Sequence, residues 1–223
     1  MLYTLEAVKA NIRNREGRRV FILAEKDRIT PEARDYLTRE KIPILPPSEA
    51  KPHRWKLLTG GYLEEKPEQM THLNGDTLVE KTHPRIAFRG GLDSLEAELL
   101  LCALEIPRLQ GELEEILELT RKILQAEVLE QPLETGKLLN LTEEELRRHS
   151  HFPQDYYGQP HFMPAVADGR SILHLNRLRC VVRQAERLAV AALPERLDIL
   201  RAMNRMSSAV YLLMLREKAK QTR

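Results

Sequence analysis

The dominant pattern in the chain begins after Pro84, where apolar residues recur every three or four positions, as they do along one face of an amphipathic helix. The first apolar stripe consists of Leu92, Leu95, Leu99 and Ala103. The second stripe is formed by Leu109, Leu113, Ile116, Leu117, Ile123 and Leu124. This spacing predicts two long helices, each of which buries one face.

Three further helices are expected towards the C-terminus. Thr142, with Glu145 three residues later, matches a capping box and predicts a short helix that ends near Ser150. After a loop that contains proline and glycine, the pattern predicts helices over 171–192 and 194–218. Short connections between successive helices favour an antiparallel five-helix bundle, so the predicted fold class is mainly α.

The N-terminal part of the chain has a different pattern. Apolar runs at 20–23 and 42–45 flank a helix start at Thr30-Pro31, which predicts a small α/β appendage over residues 1–45. Residues 46–69 show no sustained periodicity and contain Gly60-Gly61, as is typical of a linker or mobile loop. The helical domain is therefore expected over residues 70–223.

Composition restricts the class of protein. The chain has 223 residues, 42% of them apolar, and its 35 basic and 33 acidic residues leave a net charge of +2. This balance argues against a general nucleic-acid-binding protein. No stretch approaches the roughly 18 consecutive apolar residues of a membrane span, and the N-terminus lacks a signal-peptide pattern. A cytoplasmic, soluble protein without a membrane partner is expected.

The metal-binding residue types are scattered along the sequence. The two cysteines, Cys102 and Cys180, lie far apart in helical patterns and are expected to be reduced, packed thiols. Seven histidines are present, among them His149, His151 and His161, but none has a cysteine or a second ligand at the spacing of a known metal motif. No metal held by protein side chains is expected.

Two polar constellations are candidates for anion binding. The first runs from Thr71 and His72 to Lys81 and Arg85 at a helix start, and combines hydroxyl, lysine and helix-terminus donors suited to phosphate. The alternative is an ordinary polar loop before a helix that begins with proline.

The second constellation is the helical stripe Arg179, Arg183 and Arg187, in which like charges four residues apart repel unless an anion neutralises them. The alternative is a solvated face on which Glu186 pairs with Arg183.

Two other polar residues lie in apolar surroundings. Asp93 follows Gly90-Gly91-Leu92, and Asn204 lies beside an apolar stripe, so each is a candidate for a paired or ligand-bound position. The alternatives are a carboxylate near the N-terminus of its helix and an exposed amide.

The order of these motifs resembles the cobalamin adenosyltransferase family over roughly residues 70–215. The matching segments are Thr71-His-Leu, Lys81-x-x-Pro-Arg85-Ile-Ala-Phe-Arg-Gly-Gly-Leu-Asp93-Ser-Leu, Phe162-Met-Pro-Ala, Leu178-Arg179-x-x-x-Arg183-x-x-Glu186 and Leu200-x-x-Met-Asn204-Arg-Met-Ser207-Ser. Segments starting at Asp27 and Leu141 are similar to the ethanolamine-utilisation branch of that family.

The resemblance implies an enzyme that transfers the 5'-deoxyadenosyl group of ATP, bound with Mg²⁺, to Co(I) of cobalamin and releases triphosphate. It implies a homo-oligomer, with a trimer favoured, that holds ATP between subunits. The implied catalytic residues are Asp93, Arg179 and Arg183, with Asp93 paired to Arg179 across the interface. The implied ATP-binding residues are Thr71, His72, Lys81, Arg85, Arg179, Arg183, Glu186 and Asn204. The implied corrinoid-binding residues are Phe162 and Met163.

Two departures from the branch limit what is carried over. The branch often has a histidine and a CCxxC cluster that bind a divalent metal before the Thr-His-Leu motif, whereas here that region has only His53 and no cysteine. No protein-bound Zn²⁺ or Fe²⁺ is therefore expected. Gln184 also replaces a second consecutive arginine that is common in the wider family.

Other functions and partners stay open at this stage. A corrinoid or nucleotide carrier without catalysis and a helical interaction scaffold are the alternative functions. Ethanolamine ammonia-lyase, a reductase and a bacterial microcompartment are the partners and location that the branch suggests.

Overall fold

The computed structural model describes residues 1–15, 18–47 and 54–221. His53 lies outside these described residues. The chain divides into two compact units. The first contains Met1–Lys56 and Gly60–Lys66, and the second contains Leu57–Thr59 and Pro67–Arg223.

The first unit combines short strands with two helices. Its elements are β1 (Leu2–Tyr3), α1 (Leu5–Asn11), β2 (Arg13–Arg15), β3 (Arg18–Ile22), β4 (Arg28–Ile29), α2 (Pro31–Arg39), β5 (Ile44–Leu45), β6 (Trp55–Leu57) and β7 (Tyr62–Leu63), the last residue of β6 belonging to the second unit. Thr30 caps α2 by accepting a hydrogen bond from the Ala33 amide at 3.4 Å. Strand β3 pairs in parallel with β5 after α2, which confirms the predicted β-α-β appendage.

Within the stretch 46–69, expected to be a linker or mobile loop, the described residues 55–63 form two strands instead. Strands β6 and β7 pair antiparallel, with Trp55 opposite Leu63 and Lys56 opposite Tyr62. Gly60 and Gly61 in the connection have φ angles of +97° and +89°, a backbone conformation that residues with a Cβ rarely adopt. The glycine pair therefore marks a hairpin turn, and each strand is too short for its alternation to stand out in the sequence.

The second unit is a helical bundle preceded by a β-hairpin. Its elements are β8 (Met70–Asn74), β9 (Thr77–Glu80), α3 (Pro84–Glu105), α4 (Gln110–Val128), α5 (Glu143–His151), α6 (Pro153–Tyr157), α7 (Gly169–Ala192) and α8 (Leu197–Gln221), with 3₁₀ turns at Pro107–Leu109 and Val166–Asp168. The five predicted bundle helices are present, and the predicted capping box of Thr142 and Glu145 begins α5. Helix α6 interrupts what the sequence predicted to be a continuous loop.

Helix α7 packs against both α3 and α8 and is antiparallel to each. Towards α3, Arg177 pairs with Glu98 at 3.0 Å, while a Cβ at Gly91 would approach the Leu188 side chain to 2.7 Å. The absence of a side chain at Gly91 therefore allows α3 and α7 to lie close together. The bundle core is apolar, and no helix in the described ranges is both long and apolar enough to cross a bilayer.

A buried carboxylate joins α3 to α4. Glu127 on α4 is fully buried and accepts hydrogen bonds from Arg85 and Arg89, the Arg89 Nε bond to Oε2 being 2.6 Å long. Arg85 also binds Glu130 at 2.8 Å. Burial opposes the charge of Arg85, but its hydrogen bonds to Glu130 and Glu127 leave its pKa raised.

We expect Glu127→Ala to destabilise the protein by about 3–5 kcal/mol, because the two partly buried guanidinium groups lose the carboxylate between them. Urea unfolding followed by circular dichroism measures the change. Glu96→Ala is the control, since its partner Arg121 is 57% exposed and the pair should contribute little. Equal stability of the two variants would contradict this role for Glu127.

Candidate functional site

A cavity of about 370 Å³ opens where the loop after α6 crosses α7 and α8. Its lining combines aromatic, hydroxyl and basic side chains. These are Ser150, His151, His161, Phe162, Met163, Arg179, Ser207, Ser208 and Tyr211. The structure thus brings Phe162 and Met163 together with Arg179, three residues that the resemblance had assigned to different substrates. Met163 is 90% exposed at this position.

Tyr211 on α8 organises the cavity. Its hydroxyl lies 3.0 Å from His161 Nδ1, on the residue next to Phe162. The Tyr211 ring lies below the guanidinium of Arg179, 5.2 Å from the ring centroid. Burial raises the pKa of Tyr211 against the opposing effects of the Phe162 amide and Arg179, so the hydroxyl is neutral at physiological pH.

Arg179 has donor capacity that the described residues do not use. Its Nε is buried and has no hydrogen-bond partner among them. Farther along the same face of α7, Arg183 and Arg187 are exposed and form no ion pair with a described residue. The predicted arginine stripe is therefore present without internal neutralisation, and it favours an anion from outside the chain.

Glu186 and Asn204 contact each other across the α7–α8 interface. The Asn204 amide donates to Glu186 Oε1 at 2.9 Å, and Arg205 donates to Asn204 Oδ1 at 2.5 Å. The alternative pairing of Glu186 with Arg183 is not the arrangement observed. Arg205 Nε and Nη1 are buried without hydrogen-bond partners among the described residues, and Nε lies at ion-pair distance from Glu143, 3.9 Å from its Oε1.

The predicted phosphate loop is a β-hairpin instead. Thr71 pairs with Val79 and His72 with Leu78 in the β8–β9 ladder, and Gly75 forms the turn with φ of +51°. The polar residues between 71 and 76 suggested a loop, but Leu73, Leu78 and Val79 are buried and provide the apolar face of a hairpin. Lys81 follows the hairpin, and its ammonium pairs with Glu68 at 3.0 Å on the surface.

Arg85 and Asp93 differ in their surroundings from the other predicted site residues. Arg85 is bound by Glu127 and Glu130, so its guanidinium is already neutralised within the chain. Asp93 is exposed on α3, and no ion pair joins it to Arg179 among the described residues. The pairing expected for Asp93 was between subunits, and it stays a prediction.

Sequence reasoning did not select Tyr211, Ser208 or Arg205 as site residues. Tyr211 lies seven positions after Asn204, which places both on one side of α8 after two helical turns. This helical spacing is the feature of the sequence from which Tyr211 could have been predicted as a neighbour of Asn204. The buried donors of Arg205 could not be predicted from the sequence. Whether a donor finds a hydrogen-bond partner depends on the neighbours that the fold places around it.

Comparison with known proteins was decisive for the family. The model of the cobalamin adenosyltransferase family matches residues 61–217. This chain belongs to the cobalamin adenosyltransferase family. A corrinoid adenosyltransferase EutT from Salmonella typhimurium is 31% identical over 243 residues, covering 96% of this chain and 91% of that protein. The Escherichia coli EutT is 30% identical over 244 residues with the same coverage.

A solved structure supports the fold of this family member. It is a variant of a PduO-type ATP:corrinoid adenosyltransferase from Lactobacillus reuteri, complexed with cobalamin and ATP. The TM-score is 0.51 at 24% sequence identity, with 69% of this chain and 91% of that chain covered. At this identity the match shows a common fold.

We expect Tyr211→Phe to loosen the segment that carries Phe162, because the change removes the hydroxyl and retains the ring. Hydrogen exchange at the backbone amides around His161 and Phe162 should accelerate at least about tenfold, since losing the bond between the Tyr211 hydroxyl and His161, if worth about 1.4 kcal/mol, corresponds to that factor. Ser208→Ala is the control, because Ser208 lines the same cavity but its hydroxyl, among the described residues, bonds only the Asn204 carbonyl of its own helix, at 3.5 Å. Unchanged exchange in Tyr211→Phe would mean that the hydroxyl does not hold this segment.

Proposed function

We propose that this chain is an ATP:cob(I)alamin adenosyltransferase that produces adenosylcobalamin and triphosphate. The observation that carries the proposal is the family match together with the cavity at Phe162, which adjoins an arginine face without internal partners. A corrinoid needs an apolar, aromatic surface, and a leaving triphosphate needs cationic donors. The two surfaces adjoin at Arg179, which lines the cavity and is also the first arginine of the stripe.

In the proposed reaction, Co(I) attacks C5' of ATP. A cobalt–carbon bond forms, the C5'–oxygen bond breaks, and triphosphate leaves with the electron pair of that bond. The protein needs no nucleophile or general base of its own. Its contribution is to position the two substrates and to stabilise the charge that develops on the leaving group.

We assign the triphosphate to the donors at the α7 face, with Arg183 and Arg179 as its principal partners. Thr71, His72 and Lys81 on or after the hairpin are assigned to the same substrate, as are Glu186 and Asn204 at the α7–α8 contact. In this assignment, Lys81 leaves its ion pair with Glu68 and binds a phosphate group instead.

Arg85 is assigned an indirect role, because Glu127 and Glu130 occupy its donors. ATP is expected to bind with Mg²⁺.

We assign the corrinoid to the cavity, with Phe162 and Met163 as its apolar wall. Reduction of Co(II) to Co(I) becomes easier when cobalt lacks an axial ligand, so a wall that excludes water and the lower ligand promotes it. Phe162 packs against the bundle core and its ring centroid lies 6.4 Å from that of Tyr211. Tyr211 and His161 hold this wall in place through the contacts described above.

The chain also lacks the thiolate cluster of its branch. The segment before Thr71 contains no cysteine, so its residues do not fit a metal site of that type. We therefore propose that catalysis needs no protein-bound Zn²⁺ or Fe²⁺. By extension from the EutT relatives, we assign the product to ethanolamine utilisation, with ethanolamine ammonia-lyase as the consumer, a reductase as the electron donor and a microcompartment as the setting.

An anaerobic assay tests this function directly. Cob(I)alamin is mixed with ATP and Mg²⁺ after the protein has been treated with a chelator, and the Co(I) spectrum should decay as light-sensitive adenosylcobalamin and triphosphate appear in equal amounts. A protein that binds both ligands without forming this product would be a carrier, and one that binds neither would be a scaffold. Activity that returns only with Zn²⁺ or Fe²⁺ would disprove the metal-independent mechanism.

We expect Arg183→Lys to lower kcat/KM for ATP by about tenfold or more, because lysine keeps the charge but cannot hold two phosphate oxygens in a planar fork. A lower kcat would indicate a contact that strengthens in the transition state, and a higher KM alone would indicate ground-state binding. Arg177→Lys is the control, since Arg177 is an exposed arginine on the same helix that pairs with Glu98. Wild-type kinetics for Arg183→Lys would transfer the role to Arg179 or Lys81.

We propose further that the chain forms a homo-oligomer, with a trimer favoured, and that Asp93 of one subunit pairs with Arg179 of the next. The exposed side of α3 supports assembly, since Leu100, Leu101 and Leu104 are 50%, 53% and 75% exposed there. Asp93 lies on the same side of the helix, seven residues before Leu100.

We expect Asp93→Ala to shift the protein towards smaller species and to lower its activity, since an interfacial arginine loses its carboxylate. Analytical ultracentrifugation across a concentration series measures the shift. Glu118→Ala is the matched control, because it removes an exposed carboxylate of α4 whose single ion-pair partner in the described part of the chain is Lys122 of its own helix, at 2.7 Å. Normal assembly and activity of Asp93→Ala would leave Asp93 as a surface residue near the start of its helix.

A further inference from the structure

A second polar cluster lies at the α3–α7 interface, outside the cavity described above. Glu98 and Cys102 of α3 meet His174 of α7, and one potential ligand atom from each lies within 4.8 Å of the other two. Glu98 and Cys102 share a face because they are four residues apart. Neither the proposed substrates nor the proposed mechanism uses any of the three.

The cluster is enclosed by the bundle. Cys102 is fully buried and Glu98 is 5% exposed, while His174 is partly exposed and lies on the path to the surface. The Cys102 thiol donates a long hydrogen bond to the His174 carbonyl, with Sγ and O 3.6 Å apart. The two helices are thus in direct contact at this level.

The carboxylate of Glu98 is only partly neutralised within the chain. Arg177 binds Oε2 at 3.0 Å, but the arginine side chain is 68% exposed and remains mostly hydrated. Among the described residues, only Arg177 forms an ion pair with the Glu98 carboxylate. A buried carboxylate is normally fully paired or coordinated to a cation, so this environment favours an additional positive charge.

We propose that Glu98, Cys102 and His174 form a binding site for a divalent cation of the Zn²⁺ class, with water as the fourth ligand. A thiolate, an imidazole and a carboxylate are the donors that Zn²⁺ prefers, and bonds of about 2.0–2.3 Å need only small movements of these side chains. Arg177 then orients Glu98 through the oxygen that the ion does not use.

The ion at this site stabilises the bundle. Glu98 lies about 20 Å along α3 from Arg85, at a rise of about 1.5 Å per residue, so the site is remote from the start of the helix where the hairpin ends. The ion would join α3 to α7 and would not contact the substrates. The sequence predicted no protein-bound metal because the three residues are dispersed among 98–174, and only the antiparallel packing of the helices brings them together.

Burial, reinforced by Glu98, raises the pKa of the Cys102 thiol to about 12, so without a cation the thiol is protonated. A bound divalent cation reverses this preference, because a coordinated thiol loses its proton. One proton is therefore released from Cys102 when the ion binds.

Metal binding to the full-length protein tests the site. After loading with Zn²⁺ and gel filtration, we expect one equivalent of zinc per chain, and a melting temperature about 5–10 °C higher at a hundredfold excess over Kd. Co²⁺ loading should produce the near-ultraviolet charge-transfer band of a cobalt–thiolate bond. Cys102→Ser should lose the equivalent of zinc and the band.

Cys180→Ser is the matched control, because it removes the other, exposed cysteine and should retain both signals. His174→Gln provides a second test through a partly exposed residue if Cys102→Ser does not fold. His151→Ala excludes zinc bound by the surface histidines of α5. The proposal is overturned if the wild-type protein binds no zinc, or if the Cys102 and His174 variants keep the full equivalent. These readouts do not depend on adenosyl transfer, so their failure leaves the proposed function unaffected.

Discussion

The packing of α7 between α3 and α8 is the constraint on which the rest of the structure depends. A helix covered on two sides must be apolar on both, and the side chains of α7 that face its neighbours include Leu175, Leu178, Val182 and Ala185. The remaining, solvent-exposed strip of α7 carries polar residues. Arg183 and Arg187 occupy that strip, and Arg179 lies where the strip meets α8. The same packing that builds the core therefore aligns the cationic groups.

The arginines of the bundle fall into two groups according to their partners. Arg85, Arg89 and Arg196 are bound by carboxylates of the chain, and their charge contributes to folding. Arg179 has a buried Nε without a hydrogen-bond partner and forms no ion pair with a described residue, whereas the buried nitrogens of Arg205 lie near Glu143. In a protein of nearly balanced charge, the supply of carboxylates is sufficient to pair most arginines, so those with unused buried donors are the best candidates for binding an external anion.

Much of the fold followed from the sequence because helix periodicity and capping are local. The stripe from Leu92 to Ala103 and the capping box at Thr142 each act within a few turns. The hairpin at 70–80 and the short strands at 55–63 were not recognised, since their pairing depends on residues several positions away. The site residues also divide into those that a local pattern predicts and those that depend on distant parts of the chain. Arg179 and Glu186 were found through their spacing on one helix, whereas the partners of Arg85 lie some forty residues later, on α4 and just after its end.

Helix α8 carries residues of both proposed substrate sites on one continuous backbone. Asn204 and Tyr211 are seven residues apart, which is about 10 Å along the helix axis and close to two full turns. A single inserted or deleted residue between them would rotate one side chain by about 100° relative to the other. The segment from Asn204 to Tyr211 therefore cannot change in length without misaligning these side chains, because the helical rise fixes the separation of the two proposed substrate sites.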